Sequence, residues 1–347
     1  MLPVRIESSA QPPAQWDAFA RAHGIFYHES EWTLQLSKVF GFPATFLTAY
    51  EGEAVVGILP LLRTRTLLGR RRLTSLPFSY AAGPVARDTV TAVALVEEAR
   101  ASASRLGISV VEIKQVGTSV PEPPMFHRAT HYSRYVLDTS GGQDAVWQRL
   151  HQSHVRRGIK KAGKLLGVER VTTEDGWRTM AEFQQETSRR HGLPAPPDAF
   201  FLDCCRHLQS LGLASLLIAR LPDDRPVGAI VVWQGAREWI YAFGASRPAD
   251  WEYRPNHILL WSAIQDAVAR GVAFDFGRAA PEQQGLVEFK KHWGGVPQPL
   301  SYDFWPEATG LDTLPRDRGL LSAAARTWAL LPLAVTRRGS IFYRYLA

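Results

Sequence analysis

Cysteine is nearly missing from this sequence: Cys204 and Cys205, side by side, are the only two in 347 residues. Neighbouring cysteines rarely bridge because the geometry is strained. No disulfide framework is expected, which suits a reducing compartment. Long hydrophobic runs are missing too. No stretch approaches the roughly 18 apolar residues that span a bilayer, and the apolar segment from Trp328 to Val335 is short and contains Pro332. The start, Met1-Leu2-Pro3-Val4-Arg5-Ile6-Glu7, lacks the apolar core of a secretory leader. These absences predict a cytoplasmic protein, with peripheral contact at the inner membrane face left open. The histidines are scattered without ligand spacing, so no metal site is expected. Acid is in deficit, 33 Asp and Glu against 40 Lys and Arg, for a net charge of +7. That balance favours an anionic partner such as a nucleotide, a phospholipid surface or tRNA, or else reflects a solvated basic surface.

What is present is ample apolar material, 46% of the chain, and a length comfortable for two domains. A pattern occurs twice. Ala44–Tyr50 and Val55–Leu62 flank a Glu-Gly-Glu turn; Ala214–Arg220 and Val227–Trp233 flank a Pro-Asp-Asp turn. Both read as β-hairpins. A third extended run follows each, Leu73–Ala81 and Glu238–Ala245. Then comes a helix, Asp88–Leu106 or Pro255–Arg270, a glycine, Gly107 or Gly271, and an apolar strand, Ile108–Lys114 or Val272–Phe276. The offset from Gly57 to Gly228 nearly equals that from Gly107 to Gly271, which argues for two copies of one unit. Helices are predicted ahead of each hairpin, at Ala14–His23 and Glu31–Phe40, then Asp175–Arg190 and Pro197–Leu211. The unit predicts a mixed α/β sheet of antiparallel hairpins with a parallel crossover. We expect a first domain over 1–140, a second over 141–305, and a C-terminal tail over 306–347 with a turn-rich loop (Pro306, Gly310, Pro315), a helix near Leu320–Leu331 and a basic end. The join falls at Asp138–Gln143, where Asp138-Thr139-Ser140-Gly141-Gly142 offers a helix cap.

The most informative segment runs from Tyr253 to Trp293. It predicts a helix with Pro255 at its start and Gly271 after its end, a buried strand ending Asp275-Phe276-Gly277-Arg278, and the cluster Glu288-Phe289-Lys290-Lys291-His292-Trp293. Strand ends and helix N-termini are where open α/β sheets bind ligands. The first copy lacks the Asp-Phe-Gly-Arg and Lys-Lys-His-Trp endings, so chemistry is expected in the second.

Taken together, Val56-Gly57-Ile58-Leu59-Pro60-Leu61, Ser75-Leu76-Pro77-Phe78, the basic segment Arg156–Lys164, Asp275–Arg278 and Phe289–Gly294 resemble the FemAB-like acyltransferases, which have tandem GNAT-like units. The resemblance covers most of residues 25 to 305 and looks closest to the branch found with exopolysaccharide and exosortase systems. It implies an N-acyltransferase: transfer of an acyl or aminoacyl group to an amine, in the best-known members from aminoacyl-tRNA to a peptidoglycan precursor, in others from acyl-CoA. No tightly bound cofactor is implied, and no DNA partner. Two departures stand out. There is no room after Val171 for the long helical hairpin some members insert. At the start of the second crossover helix, Trp251-Glu252-Tyr253-Arg254-Pro255-Asn256 contains no glycine, and proline removes an amide from the place where acetyl-CoA enzymes cradle pyrophosphate.

The resemblance makes Lys290 the candidate stabiliser of a tetrahedral oxyanion; a surface lysine pairing with Glu288 is the alternative. Lys291 is expected to face the other way on a strand. Asp275 is a candidate base or a partner that orients Arg278, or a structural turn residue. Arg278 is a candidate clamp for phosphate or carboxylate. His292 is read as a structural residue or a base, and Tyr241 as core. Arg190, with Gly192 and the prolines after it, looks like the acceptor-binding loop; Tyr253, Asn256 and Phe289 are expected to line the cleft, Asn256 alternatively capping its helix. Arg156, Lys160 and Lys164 share a helix face at i,i+4 spacing, either as a platform for tRNA or a lipid-linked diphosphate or as a solvated linker. A non-catalytic accessory or RNA-binding protein is the competing class.

Overall fold

Both copies of the repeated unit form, and they fuse into one sheet. The structure is a computed structural model that describes residues 4–67, 69–117, 120–306 and 320–346. The first half supplies β1 (Arg5–Ser9), β2 (Ala44–Glu51), β3 (Ala54–Arg65), β4 (Arg71–Thr74), β5 (Val85–Ala86), β6 (Val110–Val116), β7 (His127–Ala129) and β8 (Ser133–Leu137). The second supplies β9 (Gly167–Val171), β10 (Ala214–Arg220), β11 (Pro226–Gln234), β12 (Glu238–Ser246), β13 (Ala273–Ala279) and β14 (Val296–Trp305). Among the described residues the order is β1-β2-β3-β4-β6-β14-β8-β13-β12-β11-β10-β9, with β5 on β3 and β7 on β14.

The internal repeat is visible in the register. Hairpin β2–β3 matches hairpin β10–β11, and each unit has one short parallel pairing, Arg72–Thr74 with Val110–Glu112 and Glu238–Ile240 with Ala273–Asp275. The closing strands cross over. β8, which follows the first unit, pairs with β13 of the second; β14, which follows the second, pairs with β6 of the first. β8 and β14 also pair with each other, which makes the sheet continuous.

The crossover helices start and stop where local chemistry directs. Asp88 accepts the Thr91 amide at 2.8 Å and caps the helix Thr89–Arg105. Gly271, at φ 72°, ends the helix Pro255–Arg270 in a left-handed cap that most side chains resist. The helix Glu174–Arg190 is capped by Thr173 and carries Glu174 and Asp175 in its first turn, favourably placed against the helix dipole. At the expected join, Asp138 does not cap; it accepts the Ser140 amide, and Gly141 precedes the helix Gly142–Arg149.

The largest cluster of buried side chains lies between the units. Phe26 stacks on Trp233 at 5.0 Å, and Trp32 and Phe200 close around them. The C-terminal helices, Leu320–Leu330 and Leu333–Arg338, dock on the body: Arg337 pairs with Asp198, and Tyr343 stacks on Phe78 at 4.6 Å. Of the turn formers expected in the tail, Gly310 and Pro315 lie outside the described residues. The third run of the first unit is shorter than expected, because β4 stops at Thr74, where Leu76 and Phe78 turn to positive φ. The cluster Glu288–His292 is not a strand: it belongs to the helix Gln284–His292.

Candidate active site

Beyond Ile240 and Asp275 the parallel strands β12 and β13 no longer pair with each other. β12 continues along β11, and β13 slips register against β8. This leaves a gap in the ladder toward their C-terminal ends, the place where open sheets take ligands. Gly277 sits there at φ 77°; a Cβ on it would lie 3.8 Å from Lys290 Nζ, 3.8 Å from the Tyr241 carbonyl and 3.9 Å from the Tyr80 ring.

Lys290 reaches this turn from the last part of its helix and is only 3% exposed. Its Nζ donates to the carbonyls of Gly277 and Arg278, each at 2.7 Å, and lies 5.6 Å from the Tyr135 ring centre. Burial pushes the amine down to about 8, with Asp275 opposing. An ammonium has three donors, and these two carbonyls take two of them. Lys291, on the helix's other face, is exposed and pairs with Glu288, so the two lysines diverge as expected although on a helix.

Asp275 is fully buried. Its Oδ1 accepts the Gly277 amide at 2.7 Å, and its Oδ2 accepts the Tyr80 hydroxyl at 2.6 Å and Arg134 at 3.2 Å. Arg134 also binds Glu238 at 2.7 Å, and its Nε donates to Gln298. Burial raises the carboxyl of Asp275, and pushes Glu238 up to about 7 with Arg134 opposing and Asp275 adding. Tyr27 and Tyr80 are pushed well above the usual phenol range by burial, with Asp275 adding. Asp275 therefore does not orient Arg278, as one sequence reading had it; its cation is Arg134, from the neighbouring strand β8, far away in sequence. With three partners committed, the Gly277 amide, the Tyr80 hydroxyl and Arg134, Asp275 is poorly placed to act as a base and well placed to hold the backbone at Gly277. Arg278 is exposed, donates to the Tyr302 hydroxyl at 3.0 Å, and lies 4.6 Å over the Tyr132 ring.

Arg190 ends its helix exposed, 5.2 Å over the Trp251 ring. Trp251 and Tyr253 belong to a 3-10 turn, Pro248–Tyr253, just before the crossover helix. The loop after Arg190 is packed under the C-terminal helix: a Cβ on Gly192 would meet the Ala325 carbonyl at 2.4 Å, and Arg189 donates to the Leu331 carbonyl. Asn256 does not cap; Arg254, at φ 59°, occupies that position, and the Asn256 Oδ1 is buried with no hydrogen-bond partner among the described residues. Phe289 is half-buried against Trp293 at 6.2 Å, more core than cleft. Tyr241 is half-buried, its hydroxyl tucked against Gly244.

The expected basic face does not form. The segment is broken into the helix Gly142–Arg149, a π-helical turn Gln152–Arg156 and a short helix Arg157–Ala162. Arg156 donates to the Leu150 and Gln148 carbonyls at 2.8 and 2.6 Å, closing the end of the first helix. Lys160 is exposed on the last turn. Lys164 lies past the helix end, lining a concavity of about 470 Å³ with Gly163–Glu169 and Arg220–Asp224, on the β9–β10 edge and away from Lys290.

A coenzyme A donor would need a cradle for its pyrophosphate at the N-terminus of the crossover helix. The residues here do not make one. Pro255 has no amide, the His257 amide is held by the Arg254 carbonyl at 3.0 Å, and the preceding turn carries no glycine.

Sequence reasoning missed Arg134, Glu238, Tyr80 and Tyr27. The signal for Arg134 was present: a charge alternating into an otherwise apolar strand, Ser133–Leu137, has to find a buried partner. Its partners sit 104 and 141 residues away and carry no local mark.

The fold is a twice-repeated mixed α/β unit, and comparison with known proteins bears on its second half and on its overall architecture. Residues 149–291 match the model of an acetyltransferase (GNAT) domain, and no curated relative matches the sequence. Among solved structures, FemX superposes with a TM-score of 0.69 at 16% identity, over 86% of this chain and 96% of its own. L-PGS from Bacillus licheniformis superposes at 0.58 and 11% identity, over 92% and 97%. The C-terminal domain of a putative lysylphosphatidylglycerol synthetase from Agrobacterium fabrum gives 0.54 at 13%, over 84% and 90%. The chain thus carries, over 149–291, a segment that matches a GNAT acetyltransferase domain, within an overall fold like that of FemX. No described helix is long and apolar enough to cross a membrane.

Proposed function

We propose that this protein transfers an acyl or aminoacyl group to an amine of a cell-envelope precursor, of the peptidoglycan or exopolysaccharide kind. The observation that carries the reading is Lys290: a buried ammonium fixed by two carbonyls at the mouth of the β12–β13 gap. In such a transfer a C–N bond forms, the ester or thioester of the donor breaks, and the amine's proton departs with the leaving oxygen or sulfur. The tetrahedral oxyanion between those events is stabilised by a preorganised cation. Lys290 supplies it, Asp275 positions it by holding the Gly277 amide, and Arg278 and Arg190 offer guanidinium groups to an acidic acceptor.

The donor we favour is aminoacyl-tRNA. The missing pyrophosphate cradle speaks against coenzyme A, and the orphaned Asn256 Oδ1 is an acceptor suited to a donor's N–H or O–H group. Acyl-CoA is the second reading, favoured by the match to an acetyltransferase domain. A peripheral position at the inner membrane face fits an envelope acceptor. Mass spectrometry of co-purified ligands, with acyl-CoA and aminoacyl-tRNA binding measured side by side, tests the choice. Saturable binding of aminoacyl-tRNA alone is the expected result; binding of acyl-CoA alone reverses the donor assignment, and binding of neither with no acyl transfer ends the proposal in favour of an accessory role.

A further inference from the structure

Three histidines that sit far apart in sequence meet beside the Lys290 helix. His151 precedes the π-helical turn and His154 lies within it, His292 ends the helix, and their ligand nitrogens all lie within 4.8 Å of one another. The His154 and His292 rings are stacked 4.5 Å apart, 5° from parallel, and His151 is 4.7 and 4.5 Å from the two. The expectation of no metal site rested on spacing along the chain, and folding removes that ground.

We propose that His151, His154 and His292 form a binding site for a divalent transition metal of the zinc type, which clasps the 151–156 turn to the helix that carries Lys290. Three imidazoles with a reachable carboxylate are a donor set suited to Zn²⁺. Glu288 Oε2 lies 4.0 Å from His292 Nε2, one helical turn away, and is the nearest candidate for the fourth position. Tetrahedral coordination needs nitrogens roughly 3.3 Å apart, so the rings must close in by about an ångström. His151 and His154 are exposed and His292 half-exposed, so their rotamers have room for that. The backbone is already tied, because the His151 amide donates to the His292 carbonyl at 2.8 Å. The ring supports are in place as well. The Ser153 hydroxyl lies 3.3 Å from His151 Nδ1 and can accept a hydrogen bond from the Nδ1–H that coordination through Nε2 leaves there, replacing the weak 3.3 Å bond from the His154 amide. The His154 carbonyl is held by His257 at 3.0 Å.

The test uses the full chain with any affinity tag removed. Zn²⁺ is titrated by calorimetry and Co²⁺ by visible absorption. One metal per chain is expected, with four-coordinate Co²⁺ bands and a higher melting temperature. His151→Ala and His292→Ala should each weaken binding by about 100-fold or more and abolish the melting shift, while His131→Ala changes neither. Circular dichroism confirms that the variants fold. No saturable binding by the wild type, or binding equally tight in His151→Ala and His292→Ala, overturns the proposal.

Discussion

At the scale of single residues, Lys290 is the buried cation on which the proposed transfer turns, and its environment sets its pH behaviour. The amine is lowered to about 8 from 10.5 by burial. Below pH 8 folding must bury a charge that prefers water, and that penalty fades as the pH rises from 8 to 10.5. This group therefore makes the protein more stable across that window, by up to about 3 kcal/mol. Lys290→Met should flatten the rise in a series of denaturant titrations. If the cation stabilises the oxyanion, activity runs the other way: kcat/KM falls as the pH climbs through about 8, and Lys290→Arg moves that limb to higher pH. A pH limb unmoved by the arginine would assign it to another group. Arg134 makes a different kind of contribution. Removing it as Arg134→Met leaves Asp275 and Glu238 buried without their cation, and the expected cost is about 3–5 kcal/mol of unfolding free energy, read from chemical denaturation near pH 7.

Among the elements, the crossover helix and the irregularity within β13 were legible in sequence because their signals are local. Pro255 and Gly271 mark the helix's start and stop, and the structure has both; the strand expected to end at Asp-Phe-Gly-Arg instead runs on to Ala279, with a register slip where Gly277 takes positive φ. The Lys290 helix was misread as a strand: Glu-Phe-Lys-Lys-His is too short a run to separate a period of 3.6 from one of 2. The basic segment failed for another reason. Its i,i+4 spacing assumes an unbroken helix, whereas the backbone enters a π-helical turn and Arg156 folds back on the carbonyls of Leu150 and Gln148. The Arg134–Asp275–Glu238 network was illegible because it depends on β8 reaching the second unit. Gly244 gives an element-level test. A Cβ there would fall 1.7 Å from the Tyr241 hydroxyl, so Gly244→Ala should displace the Tyr241 ring, on the strand that borders the β12–β13 gap. The expected result is a raised KM with little loss of melting temperature; an unchanged KM would show that the gap is not the substrate's path.

For the molecule as a whole, the exchange of β8 and β14 makes two sequence units one physical object. The repeat was readable from matched glycines, but the exchange was not, since nothing in either strand states its partner. Two consequences separate this fold from a pair of linked domains. Trp233→Ala opens a cavity in the cluster shared by both halves, against Phe26 and Trp32, and should cost about 3–5 kcal/mol. The loss should appear in one cooperative transition, not in the second half alone. A chain ended before Val296 removes the antiparallel partner of β6 and should lose the first unit's fold along with its own last strand.

On the proposed function, this chain joins an acyl group to an amine at Lys290. The most direct measurement is single-turnover transfer of a labelled aminoacyl group from tRNA to an amine-bearing envelope precursor, with wild type and Lys290→Met compared and folding verified by circular dichroism. The predicted result is transfer by the wild type, reduced about 10²- to 10³-fold in the folded variant. Equal transfer by both proteins would contradict the account.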